Sequence, residues 1–300
     1  MKFIYSEKYE VSFGAHVFST EKYRLTKERL LKEKLAQEQD FIYPKEAKVE
    51  DIALIHTKNY IEDMIHLRWT QRTVRSELPL STEIIKSYFI HAQGTILACQ
   101  QALNAGIGIH IGGGFHHAFA DNGEGFCYIN DVAVGIKKMQ SLKLIERSAV
   151  IDCDLHQGNG TAKIFQNDKS VFTFSIHQEH LYPIKEESTW DIGLEDGTGD
   201  KEYLEKLRHA VDKIFSEHKP QLIVFVAGAD PFQMDQLGAL RLTKEGLKKR
   251  DEIVIKGCWD RKIPVAITLA GGYAYDVNDT VDIHLNTCKV CLALEKQQNN

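Results

Sequence analysis

Proline and cysteine are scarce, six of each in 300 residues, and neither clusters. With so little proline there is no stiff linker. No low-complexity tract or internal repeat divides the chain either. A single unit over residues 1–300 is therefore expected, because α/β chains of this length commonly fold around one sheet. Cys99, Cys127, Cys153, Cys258, Cys288 and Cys291 are too dispersed for the disulfide framework of a small secreted domain, and they read as reduced thiols in a cytoplasmic protein. No apolar run approaches the ~20 residues that a bilayer crossing needs. The segment Met1 to Glu7 becomes charged before a signal-peptide core could form, so a soluble protein with no membrane span is expected. An excess of basic charge is missing too. Lys and Arg number 37 against 42 Asp and Glu, for a formal charge of −5. That balance argues against a nucleic-acid binder, which needs a basic face, and suits a cationic peptide better.

What the chain does have is a change of rhythm. Its first third reads as helices at about Glu21–Gln39, Asn59–Arg68 and Ser81–Ala105, the last ending at Gly106. Short apolar strands then alternate with helices. The strands fall at Ile107–Ile111, Ser148–Cys153, Val171–Ile176, Leu222–Val226 and Val265–Leu269. The helices fall at Val132–Gln140, Thr161–Gln166, Tyr203–His218, Thr243–Trp259 and Val277–Leu294. Such alternation predicts the α/β class, with a central, mostly parallel sheet flanked by helices on both faces. Gln178–Asp200 reads as the longest irregular stretch. The lysines from Lys22 to Lys34 read as a solvated helix face.

In parallel sheets ligands gather beyond the carboxyl ends of the strands, and the unusual polar residues of this chain collect there. After the first strand comes Gly112-Gly113-Gly114-Phe115-His116-His117, where glycines allow close backbone approach beside two imidazoles. After the second comes Asp152-Cys153-Asp154-Leu155-His156. In an extended segment Asp152, Asp154 and His156 share one face, and so much charge crowded together calls for a cation. A lone carboxylate, Asp230, follows the strand ending at Val226, and Gly271-Gly272-Tyr273 follows the last strand. Asp154, His156 and Asp230 make a two-carboxylate, one-imidazole set of the kind that leaves one zinc position open for catalysis. Each piece alone has an ordinary explanation, such as a helix cap for Asp230 or a turn for Gly-Gly-Tyr. Their joint appearance at successive strand ends is harder to dismiss. Cys288 and Cys291 have CxxC spacing but lie in an amphipathic helix without a second pair, which favours core packing. His16, His56, His66, His91 and His110 lack ligand spacing and read as structural or surface groups.

In order and spacing, the segments Gly113–Ala118, Gly125–Asp131, Asp152–His156, Gly228–Asp230 and Gly271–Tyr273 resemble the histone deacetylase family. His156–Gly160 and Glu195–Thr198 look most like its class IV. The resemblance implies the arginase/deacetylase fold and one Zn²⁺ per chain held by Asp154, His156 and Asp230. It implies that Asp152 orients His116, that His117 carries the proton, and that Tyr273 stabilises the oxyanion. Gly125, Phe126 and Tyr182 would bind the acyl-lysine stem, and a structural K⁺ is implied near Ser175 and the backbone of Asp152–His156. Arginases, which share the fold, bind two manganese ions through a further Asp pair. Here Pro231 and Phe232 follow Asp230, which favours one catalytic metal. Ala270 stands where many relatives have glycine.

The activity implied is hydrolysis of an Nε-acyl-lysine amide in a protein or peptide, where the acyl group is acetyl or a long fatty chain and lysine is the departing amine. The alternatives are an acetylpolyamine or other small-amide deacetylase and a catalytically silent metal-binding scaffold. In the resemblance Asn159 stands where most members carry an aspartate behind the second histidine. A neutral amide stabilises an imidazolium less than a carboxylate does, so His117 is expected to titrate lower than in those members. Asn159→Asp should then move the acidic limb of the pH–rate profile upward, and an unmoved limb would refute this.

Overall fold

The apolar runs Ile107–His110, Ser148–Asp152, Leu222–Val226 and Val265–Thr268 have side chains suited to burial on two sides. In the computed structural model, which describes residues 1–298, each is a strand with every residue buried. In chain order the strands are β1 (Phe3–Ile4), β2 (Phe41–Ile42), β3 (Ile107–His110), β4 (Ser148–Asp152), β5 (Val171–Gln178), β6 (Trp190–Leu194), β7 (Leu222–Val226) and β8 (Val265–Thr268). They form one eight-stranded sheet in the order β2-β1-β3-β8-β7-β4-β5-β6. Every neighbouring pair is parallel. All their carboxyl ends therefore open on one edge, and β3, β8, β7 and β4 are consecutive at its centre.

The helices are α1 (Glu21–Lys32), α2 (Val49–Ile52), α3 (Lys58–Ile65), α4 (Gln71–Val74), α5 (Thr82–Ala105), α6 (Asp131–Ser141), α7 (Asn159–Phe165), α8 (Asp200–Glu217), α9 (Lys244–Asp260) and α10 (Val277–Gln298). They flank the sheet on both faces. The longest, α5, begins where Ser81 Oγ accepts from the Ile84 N–H and ends at Gly106, whose φ of 85° suits glycine. It packs on β3 and β8 with α6 beside it, while α9 lies between α8 and α10, and α1 rests on α10. Gly108 lets β3 approach α5, because a Cβ there would overlap the Ala98 carbonyl.

Several expectations are corrected. Gln178–Asp200 is not wholly irregular, since β6 pairs with β5 inside it. As an edge strand it is only partly buried, so it lacks the apolar run that marks the central strands. The two-residue strands β1 and β2 are too short to leave a periodic signal. The first helix stops at Lys32 rather than Gln39. Lys34 turns left-handed at φ 55°, and the Leu35 N–H returns to the Leu30 carbonyl at 2.9 Å. The lysines of this helix are not all solvated: Lys22 is 1% exposed, and Lys27 is also buried. Cys288 and Cys291 are buried and unpaired, as core packing requires.

Candidate active site

Four loops meet beyond the central strands, and main-chain polarity stitches them together. The loop after β3 is held by Asp131 at the start of α6, which accepts from the Gly114 N–H at 3.0 Å and the Phe115 N–H at 2.7 Å. Glycines 112, 113 and 114 all have positive φ there. Asp152 ends β4, so the convergence of Asp154 and His156 comes from turns and not from strand alternation. The Asp154 N–H donates to Asp152 Oδ1 at 3.1 Å, and the His156 N–H donates to Asp154 Oδ1 at 3.0 Å. Cys153 points away into the core. The β4 loop is tied to the β7 loop by the Leu155 N–H on Asp230 Oδ1 at 3.0 Å, and the β8 loop to the β4 loop by the Gly271 N–H on Asp154 Oδ2 at 3.1 Å.

Asp154, His156 and Asp230 each offer a ligand atom within 4.8 Å of the others, and all three are buried. This is the one such group among the described residues. Burial and the neighbouring Asp154 charge push Asp230 up, to about 6. Against the pull of burial, the His116 and His156 imidazoles hold Asp154 well below the usual carboxylate range. Burial would lower His156, yet Asp154 and Asp230 outweigh it and raise the imidazole to about 10. Asp230 Oδ2 is buried without a hydrogen-bond partner. A cradle with two carboxylates, one imidazole and an orphaned oxygen fits a divalent cation such as zinc.

Beside it stand the two adjacent imidazoles. His116 Nδ1 lies 2.6 Å from Asp152 Oδ2 and His117 Nδ1 lies 2.8 Å from Asn159 Oδ1, while their Nε2 atoms are 3.1 Å apart. Burial opposes a charge on His116, but Asp152 and Asp154 win and place it at about 9. His117 goes the other way, pushed well below its ordinary value by burial and then by the other two imidazoles. A cavity of about 250 Å³ leads to this point, lined by Gly125, Phe126, His117, His156, Leu181, Tyr182, Leu237 and Tyr273, with Glu77 among its walls. Phe126 and Tyr273 meet edge-on with ring centroids 6.0 Å apart, and Tyr182 lies edge-on to His117 at 5.6 Å. All the site residues expected from sequence are thus brought together. Ser175, expected near a K⁺, sits beside Asp152 in the β4–β5 register with its Oγ 2.9 Å from His177 Nδ1.

Three supporting residues escaped the sequence reading. Lys22 reaches in from α1, donating to the Ala270 carbonyl at 2.8 Å and the Gly272 carbonyl at 3.4 Å. Burial drives its ammonium down, to about 8, against Asp230, Asp154 and Asp235. Asp235 accepts from the Tyr273 N–H at 2.7 Å, so these two residues grip the loop that carries the phenol. That loop is strained, because Ala270 adopts φ 50° where glycine would be at ease. From α9, Arg250 is wholly buried and donates through Nη1 to the carbonyls of Cys153 and Gly228, one in each carboxylate-bearing loop. Asp251 balances it at 2.8 Å. A lysine on an acidic-basic helix and an Arg-Asp pair both look solvent-facing in sequence, so the only early signal was the buried company of Tyr23 beside Lys22.

A model of the histone deacetylase domain matches residues 16–288. The chain belongs to the histone deacetylase family. Among its relatives, an uncharacterized protein of Picosynechococcus sp. is 36% identical over 90% of each chain. Histone deacetylase 2 of Arabidopsis thaliana is 29% identical over 90% of this chain and 74% of its own. A probable deacetylase of Archaeoglobus fulgidus is 31% identical over 78% of this chain and 69% of its own. Among solved structures, an HDAC homologue complexed with SAHA shares the fold with a TM-score of 0.82 at 22% identity, covering 98% of this chain and 84% of its own. No helix among the described residues of this deacetylase-family chain is long and apolar enough to cross a membrane.

Replacing Arg250 by methionine leaves Asp251 as an uncompensated buried charge, which typically costs ~3–5 kcal/mol. Urea unfolding of Arg250→Met should show a loss of that order. A change below 1 kcal/mol, on the order of a surface substitution, would remove the clamp from the argument.

Proposed function

We propose that this histone deacetylase-family chain is a class IV-like, zinc-dependent hydrolase of Nε-acyl-lysine amides, with residues 1–300 forming one catalytic domain and buried, unpaired cysteines suited to the cytoplasm. The observation that carries the reading is the end of the channel. There, two adjacent imidazoles and a phenol surround a carboxylate–imidazole cradle, behind a passage narrowed by Phe126, Leu181, Tyr182 and Leu237. Asp154, His156 and Asp230 would hold zinc, which supplies Lewis acidity toward the amide carbonyl and toward a water.

The protein's own groups do the rest. Phe126, Tyr182 and Gly125 receive the aliphatic stem and exclude solvent, which strengthens every polar contact at the bottom. His117 takes the proton of the attacking water at Nε2 and returns it to the departing amine, while Asp152 keeps His116 oriented and charged beside it. Tyr273 donates to the carbonyl oxygen as negative charge develops there. Asp235 and Lys22 hold its loop in reach. A K⁺ near Ser175 would stiffen the β4 loop from behind. That an HDAC homologue of the same fold is complexed with SAHA supports ligand binding in this fold.

One feature favours a second reading. Glu77 puts a carboxylate on the channel wall, where a cationic acetylpolyamine would be welcome. A panel of acetyl-lysine peptide, fatty-acyl-lysine peptide and acetylspermidine, each with zinc-loaded and chelator-treated protein, separates the readings. Turnover of a lysine peptide that chelation abolishes is expected. Turnover of acetylspermidine alone would transfer the case to the second reading, and tight peptide binding without any turnover would favour a scaffold.

Asp154→Ala and Asp230→Ala should each lower zinc content measured by elemental analysis. Tyr273→Phe should retain the metal and lose ~10²–10³ in kcat, the usual effect of removing one oxyanion donor. An unchanged kcat would take Tyr273 out of the mechanism.

A further inference from the structure

The oxygen of an amide only accepts and its nitrogen only donates, so whatever stands behind Asn159 decides which end His117 meets. Behind it stands Glu124, a buried residue whose Oε1 accepts from Asn159 Nδ2 at 3.0 Å. A longer contact runs from the same nitrogen to the Ile184 carbonyl at 3.4 Å. An ionised carboxylate has no proton to give, and therefore it can face only the NH₂ end. On the other side the Gly160 N–H donates to Asn159 Oδ1 at 3.0 Å. Both neighbours demand the same orientation, which turns Oδ1 toward His117 Nδ1 at 2.8 Å. An acceptor at that place requires the proton on Nδ1. In the neutral imidazole Nε2 is then bare, and Nε2 is the atom that faces His116 and the end of the channel.

Glu124 is itself anchored. Arg75 Nη2 lies 2.6 Å from its Oε2, and its N–H donates to the Cys127 carbonyl at 3.0 Å in the turn that also carries Gly125 and Phe126. We propose that Glu124 is a positioning residue of this site. One amide removed from the histidine, its carboxylate fixes the Asn159 amide and so the Nδ1–H tautomer of His117, leaving Nε2 free to accept a proton. The row Arg75, Glu124, Asn159, His117 thereby does through a neutral amide what a carboxylate touching His117 would do directly. This inference rests on the reading of His117 as the proton carrier, and no part of the sequence pattern singled Glu124 out.

The arrangement predicts that acid and amide can be exchanged but not altered one at a time. In Asn159→Asp two carboxylates would confront each other across the present 3.0 Å contact. In Glu124→Gln the amide pair is neutral and its hydrogen bond weaker. In the double variant Asn159→Asp with Glu124→Gln, the new carboxylate accepts from His117 while the new amide donates to that carboxylate, and the row is rebuilt in reverse. With zinc-loaded protein and an acetyl-lysine peptide, Asn159→Asp should lower kcat by roughly tenfold or more and Glu124→Gln by severalfold, with KM within about twofold. The double variant should recover to within about threefold of the parent, a reversal that independent effects cannot produce. If it loses the product of the two single losses, the proposal is overturned. A second readout needs no turnover. Histidine ¹⁵N NMR at mildly alkaline pH should show His117 as the Nδ1–H tautomer in the parent and a mixture in Glu124→Ala, and an unchanged tautomer in that variant would equally overturn it. A parent protein that turns over no amide while the NMR result holds would fail the proposed function and leave the role of Glu124 in place.

Discussion

Two carboxylates buried side by side, Asp154 and Asp230, repel each other and need positive charge. Much of the surrounding structure answers that need. His156 lies against both carboxylates, the N–H groups of Leu155 and Gly271 are turned onto them, and Lys22 brings an ammonium to the backbone of the neighbouring loop. Arg250 holds the same loops from beneath through their carbonyls. The sheet makes this crowding feasible, because its parallel strands deliver four loops to one edge, and the order β3-β8-β7-β4 places those loops side by side.

The polar residues divide by how they are held. The two metal-binding carboxylates are fixed mainly by backbone N–H groups, which are rigid and cannot lose their protons. The two imidazoles are fixed by side chains, His116 by Asp152 and His117 by Asn159. The first partner is an acid in contact and the second an amide with an acid behind it. Adjacent residues in the chain therefore sit in different electrostatic surroundings, with His116 raised and His117 lowered. Groups whose environments drive them apart in this way suit opposite roles in proton transfer.

The central strands were legible because burial on two sides leaves an unbroken apolar run, as in Leu222–Val226. The candidate site was legible because it follows those runs directly in the chain. The edge strand β6 was not, since two of its five residues are exposed, and β1 and β2, at two residues each, are too short to show a repeat. Lys22, Arg250 and Glu124 failed for a different reason. A charged residue in a charged neighbourhood is ordinarily solvated, and only the fold reveals that these three are inside. The turns of Asp152–His156 also matter, since strand alternation foresaw the meeting of these side chains but not the hydrogen bonds that produce it.

The grip of Lys22 on the Ala270 carbonyl joins residues 248 positions apart. The first helix and the last strand loop thus complete each other, although one leaves the ribosome long before the other. During synthesis Lys22 and Asp235 are both made before the Gly271–Tyr273 loop, so the anchors wait for the loop they hold. The phenol is consequently the last of the site's side chains to arrive, after both adjacent imidazoles and all three metal-binding candidates.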